Sequence, residues 1–119
     1  MALVTKRNYA EPDEVRTPPL AEVSVVDLGN VATSKAVFQP GWRWSESVKP
    51  AAGTDTCGFR HVGTALSGRL IVQHGDVTVE LVPGDAYVIE PGHDAWVVGD
   101  EPFVAVEFED RAARSFASS

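Results

Sequence analysis

The chain has 119 residues, 44% of them hydrophobic, and its seventeen acidic and ten basic residues give a formal charge of -7. That length makes one domain able to bury about two-thirds of its unfolded surface, while the charge repels phosphate backbones and anionic lipid, excluding nucleic acid and membrane surfaces as expected partners. One cysteine precludes an internal disulfide, no apolar run nears the roughly 20 residues of a membrane span, and "MALVTKRNYAEPDEV" lacks the apolar stretch of a secretory signal, so a soluble cytoplasmic protein is expected.

Residues 1–20 carry three prolines and dense charge without a sustained period, and Pro18-Pro19 forbids helix or central strand there, so they read as an N-terminal arm. From residue 21 to 110 the chain becomes short β-branched runs: "VSVVDL", "KAVFQPGWRW", "RHVGTALSG", "RLIVQH", "VTVELV", "AYVIE", "AWVVG" and "FVAVEFE". Turn chemistry separates them at Gly29-Asn30, Pro40-Gly41, Gly75-Asp76, Pro83-Gly84-Asp85, Pro91-Gly92 and Gly99-Asp100. About eight short antiparallel strands in fewer than about 100 residues predict an all-β sandwich or barrel. Residues 111–119 read as a short C-terminal helix or tail.

Period two puts His61, Gly63 and Ala65 on one face of their strand, with Val62, Thr64 and Leu66 on the other. If the first face points into the barrel, the two small residues leave room beside the imidazole for a ligand.

Gly53, Cys57, His61 and Gly68, followed after a hairpin by "PGDAYVIEPGHDAW", resemble the two signature motifs of the cupin superfamily, over Pro40 to about Glu107. The segments "PGWRWSE", "LSGRL" and "PGHDAWVVGDEP" look like those of its small stand-alone members. The resemblance implies a small antiparallel β-barrel, or jelly roll, whose two motifs supply a His-x-His pair, a glutamate and a further histidine to a divalent metal. In this sequence those four positions fall on Asp55, Cys57, His61 and Ala95. Thiolate, imidazole and carboxylate still suit zinc, and imidazole and carboxylate suit iron or manganese. His93 stands near enough to replace the ligand missing at Ala95. Cys57, His61 and His93 are therefore the candidate metal ligands, His61 the candidate catalytic group, and Asp55, Gly63, Ala65 and Ala95 the candidate ligand-binding positions.

Trp42 and Trp44 lie two apart and on a strand would share a face, which suits a core or an interface. With the resemblance, this predicts a homodimer. Two functions follow from the sequence: a metal-dependent enzyme acting on a small molecule inside the barrel, or a metal-free module that binds or senses a small ligand there. It contains no nucleophile elbow, glycine-rich phosphate loop or usefully spaced carboxylate pair.

Overall fold

A computed structural model describes residues 4–47 and 60–110; Asp55, Cys57 and the expected C-terminal helix lie outside the described residues. Among the described residues, nine strands and one helical turn follow in order: β1 (Glu14–Arg16), β2 (Ala21–Asp27), β3 (Val31–Phe38), α1 (Trp44–Ser47), β4 (His61–Ser67), β5 (Arg69–His74), β6 (Val77–Leu81), β7 (Ala86–Ile89), β8 (Asp94–Val98) and β9 (Phe103–Asp110). They form a six-stranded sheet, β1-β2-β3-β9-β4-β7, and a three-stranded sheet, β6-β5-β8, with antiparallel pairing throughout. Among the described residues no helix is long and apolar enough to cross a membrane.

The inner face of the larger sheet follows from register. Phe38 pairs with Phe103, Ala36 with Ala105, and Ala105 in turn with Ala65, so a row of alanines crosses three strands beside a row of phenylalanines. All three alanines are buried, and Phe103 is among the largest fully buried side chains. Small residues in one layer leave volume for large ones opposite. Trp42, Trp44, Leu70, Val72, Leu81 and Val97 join the same core.

Both indoles are therefore interior to the protomer, at 4% and 6% exposure for Trp42 and Trp44. Trp42 stacks on Phe38 with ring centroids 4.0 Å apart. The apolar face expected to need a partner is absent at these residues. The strand expected over residues 35–44 is also divided: β3 ends at Phe38 and Trp44 opens α1. The Asp94 carboxylate explains the break. It accepts the Ser45 backbone N–H at 3.1 Å and the Arg43 guanidinium at 3.2 Å, drawing this segment into a turn beside β8, while Arg43 covers the Trp96 ring.

The expected arm contains β1, an edge strand placed before the proline pair, where unpaired backbone is tolerated. Residues Asn8–Ala10 lie over the outer face of β2 and β3 and leave a groove of about 520 Å³ bordered by Leu20, Ser24, Lys35 and Val37. The Tyr9 hydroxyl meets Thr33 Oγ1 at 2.6 Å. Thr33 in turn donates to the Glu107 carbonyl at 2.9 Å, which leaves Tyr9 as donor to Thr33.

Candidate functional site

Three adjacent strands of the larger sheet, β7, β4 and β9, present one row of the site through the register Tyr87↔Gly63↔Glu107. Gly63 is the middle member, and its missing side chain is what lets the outer two meet. A Cβ there would strike the Val106 carbonyl oxygen and lie 2.9 Å from Glu107 Cγ. Across this gap the Tyr87 hydroxyl donates to Glu107 Oε2 at 2.7 Å. Two residues before Gly63 and on the same face, His61 Nδ1 lies 2.7 Å from Glu107 Oε1.

The protonation pattern follows from the partners. Tyr87 is 9% exposed, and burial, then the Glu107 charge, then the hydrogen bond to it, push the phenol pKa well above its usual value. A phenol that keeps its proton is the donor to a carboxylate. Glu107 then accepts at its other oxygen from His61 Nδ1–H, which makes Nε2 the lone-pair nitrogen in the neutral ring. Side-chain exposures of 28% for His61 and 25% for Glu107 keep the pair within reach of solvent and small solutes.

His93 comes from the turn before β8 and is 3% exposed. Its Nδ1 lies 2.8 Å from the Glu90 carbonyl and donates to it. The His61 and His93 rings approach edge to face with centroids 5.1 Å apart. The second-motif turn thus bends inward and brings the two candidate imidazoles together. His74 braces this turn from outside, its Nε2 donating to the Pro91 carbonyl at 2.9 Å.

The other candidates take different places. Ala65 and Ala95 are buried in the core, and the methyl of Ala95 has no ligating atom. Gly63 faces inward, and Glu107 packs against the space its missing side chain leaves. Asp55 and Cys57 lie outside the described residues. Glu107 and Tyr87 were not singled out from the sequence, although "FVAVEF" sets a glutamate in step with the inward Phe103 and Ala105, a charge where an apolar side chain is due.

Among the described residues no group of three or more His, Cys, Asp or Glu is placed to hold a metal ion. His61 and His93 bring two imidazoles to the site, and both Glu107 oxygens are engaged by His61 and Tyr87. By themselves these residues do not fit a divalent metal, which needs a further donor.

No protein-family model matches the sequence, and no curated protein matches it. Solved structures do. A protein of unknown function from Rhizobium leguminosarum bv. viciae superposes with a TM-score of 0.66 at 21% identity, over 90% of this chain and 96% of that one. AerE from Microcystis aeruginosa gives 0.63 at 17% identity, over 82% of this chain and 45% of its own. A sugar phosphate isomerase of the cupin superfamily from Silicibacter pomeroyi gives 0.57 at 13%, over 75% and 58%. The chain folds as a cupin. At these identities the likeness is one of fold, and this chain spans less than two-thirds of AerE and of the isomerase.

Proposed function

We propose that this cupin binds and acts on a small molecule at the mouth of its barrel, with His61 as the acid/base and hydrogen-bonding group. The observation that carries the reading is the chain Tyr87–Glu107–His61, joined by two contacts of 2.7 Å. Glu107 fixes the imidazole tautomer and orientation and stabilises the imidazolium formed when Nε2 takes a proton. Tyr87 holds the second carboxylate oxygen so that Glu107 cannot rotate away. The inward, buried His93 adds a second imidazole at the same place. The isomerase with this fold acts on a sugar phosphate, which supports a small, polar molecule as the ligand class.

Thermal-shift screening of a metabolite library tests this, with wild type and His61→Ala compared at equal protein concentration. Ligands at about 100 times their Kd add roughly 2.7 kcal/mol to stability, and those that use the site should lose the shift in His61→Ala while the variant's own melt stays cooperative. A library whose hits act equally on both proteins would remove His61 from the function.

A second reading, metal-dependent chemistry, is favoured by the anchoring of both imidazoles through Nδ1 to a carboxylate and a carbonyl, the outer contacts typical of metal-bound histidine. It requires a third donor such as Cys57 or Asp55, holding zinc, iron or manganese. Metal stoichiometry of tag-free protein, in wild type, Cys57→Ser and His93→Ala, separates the two readings.

A further inference from the structure

The two sheets are joined at one end of the barrel by Gly68 between β4 and β5, residues 82–85 between β6 and β7, and residues 99–102 between β8 and β9. At the opposite end β4 begins with His61, β5 finishes with His74, β6 begins with Val77 and β7 finishes with Ile89. His93 enters there from the β7–β8 turn, where His74 reaches the Pro91 carbonyl. The candidate site thus occupies this mouth, and the adjoining ends of β5 and β6 form its other wall. Register shows what that wall is made of. Leu70 pairs with Leu81, Val72 with Val79 and His74 with Val77, and residues directly opposite in an antiparallel pair share a face. Leu70, Val72 and Leu81 belong to the core, so Val79 and Val77 continue the inward face of β6. Yet they are 50% and 60% exposed, against 6% for Leu81. The short connection from β6 to β7 sets them across from Ile89, which pairs with His61 and packs on the core. Polar groups therefore converge from β4, β7 and β9, and exposed apolar surface faces them from β6. An apolar face that belongs to the interior and stays half exposed at the mouth of a site suits a ligand better than it suits water.

We propose that the molecule taken at His61 is an amphiphile, with a hydroxyl-bearing end at the two imidazoles and an aliphatic or aromatic body laid along β6 over Val79 and Val77. This rests on the site reading above and adds the part of the ligand that the histidines do not hold. The ring tautomers set the head. His61 and His93 each direct Nδ1–H to a protein acceptor, Glu107 and the Glu90 carbonyl, so the lone pair of each neutral ring is at Nε2. An acceptor is met by a donor, which selects a hydroxyl over an ether or a carboxylate. The wall sets the body, because valine side chains carry no polar atom and reward only apolar surface.

Titration of the isotope-labelled full chain with straight-chain vicinal diols, from propanediol to heptanediol, tests the proposal. Binding is read from the His93 Nε2 resonance in wild type, Val77→Ser, Val79→Ser and His61→Ala. In wild type, affinity should rise about threefold to fourfold with each added methylene that reaches the valines. Each serine variant should melt cooperatively, bind propanediol as wild type does and lose the gain with length. His61→Ala should weaken every diol alike and keep that gain. Equal affinities along the series, where His61→Ala still weakens binding, overturn the proposal and leave His61 in the site. A gain with length that survives both serines puts the body elsewhere and overturns it too, as does a His93 resonance that no diol moves. Diols that bind His61→Ala as tightly as wild type overturn the reading of the site itself.

Discussion

Tyr87 holds its hydroxyl where ionisation is opposed by burial and by the adjacent Glu107 carboxylate. In the unfolded chain a phenol loses its proton near pH 10, whereas folded Tyr87 keeps it well above that. Above about pH 10 the folded state therefore binds more protons than the unfolded one, and linkage makes stability fall as pH rises. The contribution is fully present below about pH 10 and lost on the alkaline side. Denaturant unfolding of wild type and Tyr87→Phe should show the variant about 1 kcal/mol less stable at neutral pH through the lost hydrogen bond, with the gap narrowing above about pH 10. Parallel curves for the two proteins would show that Tyr87 does not feel the carboxylate. At this scale the sequence was half legible. Parity put His61 and Gly63 on one shared face, because that is a local property of one strand. What fills the space over Gly63 comes from Glu107, 46 residues beyond His61, and no local pattern carries that register.

Turns were readable for the opposite reason, since the glycine and proline chemistry that reverses a strand acts within a few residues. The segment Gly41–Ser47 was not. Two indoles at alternate positions imitate strand periodicity, yet the conformation is set by Asp94, which captures backbone and side-chain donors of the earlier segment. Gly68 and Gly75 separate local strain from tertiary contact among the connections. Both have positive φ, 78° and 59°, but a Cβ on Gly68 would strike the Pro102 carbonyl oxygen and lie 2.7 Å from Phe103 Cα, whereas one on Gly75 meets nothing within 4 Å. Gly75→Ala should cost roughly 1–2 kcal/mol for the left-handed backbone alone. Gly68→Ala should add about 1–3 kcal/mol for the overpacked backbone between β4 and β9. Equal losses in equilibrium unfolding would mean that the two sheets yield at this corner, contrary to a close-packed junction.

Over the whole molecule, the all-β class was legible because strand length and turn spacing recur from residue 21 to 110, whereas the role of the first twenty residues was not. Their prolines and charges suggest a loose arm, but the segment is bound to the larger sheet by groups that are ordinary in sequence. β1 pairs with β2, the Asp13 N–H donates to the Val25 carbonyl at 2.8 Å, and Asp13 Oδ2 accepts the Asp27 N–H at 2.8 Å. Tyr9 reaches Thr33, the register partner of Val26, and both of these outward-facing residues are buried, Val26 at 1% and Thr33 at 7% exposure. Deleting residues 1–16 should therefore uncover Val26, worth roughly 1.5–3 kcal/mol when fully buried, and remove hydrogen bonds worth about 1 kcal/mol each. The core of the remaining sheets stays intact, so the truncated chain should still melt cooperatively, with a Tm lower by at least about 8 °C at the 4–8 °C per kcal/mol expected for a domain of this size. Because Thr33 donates to the Glu107 carbonyl, the same deletion should also shift the His61 imidazole resonances in a nitrogen-edited NMR spectrum, relative to the full chain. An unchanged Tm with unchanged His61 signals would show that the N-terminal segment is an appendage and that the barrel supports its site without it.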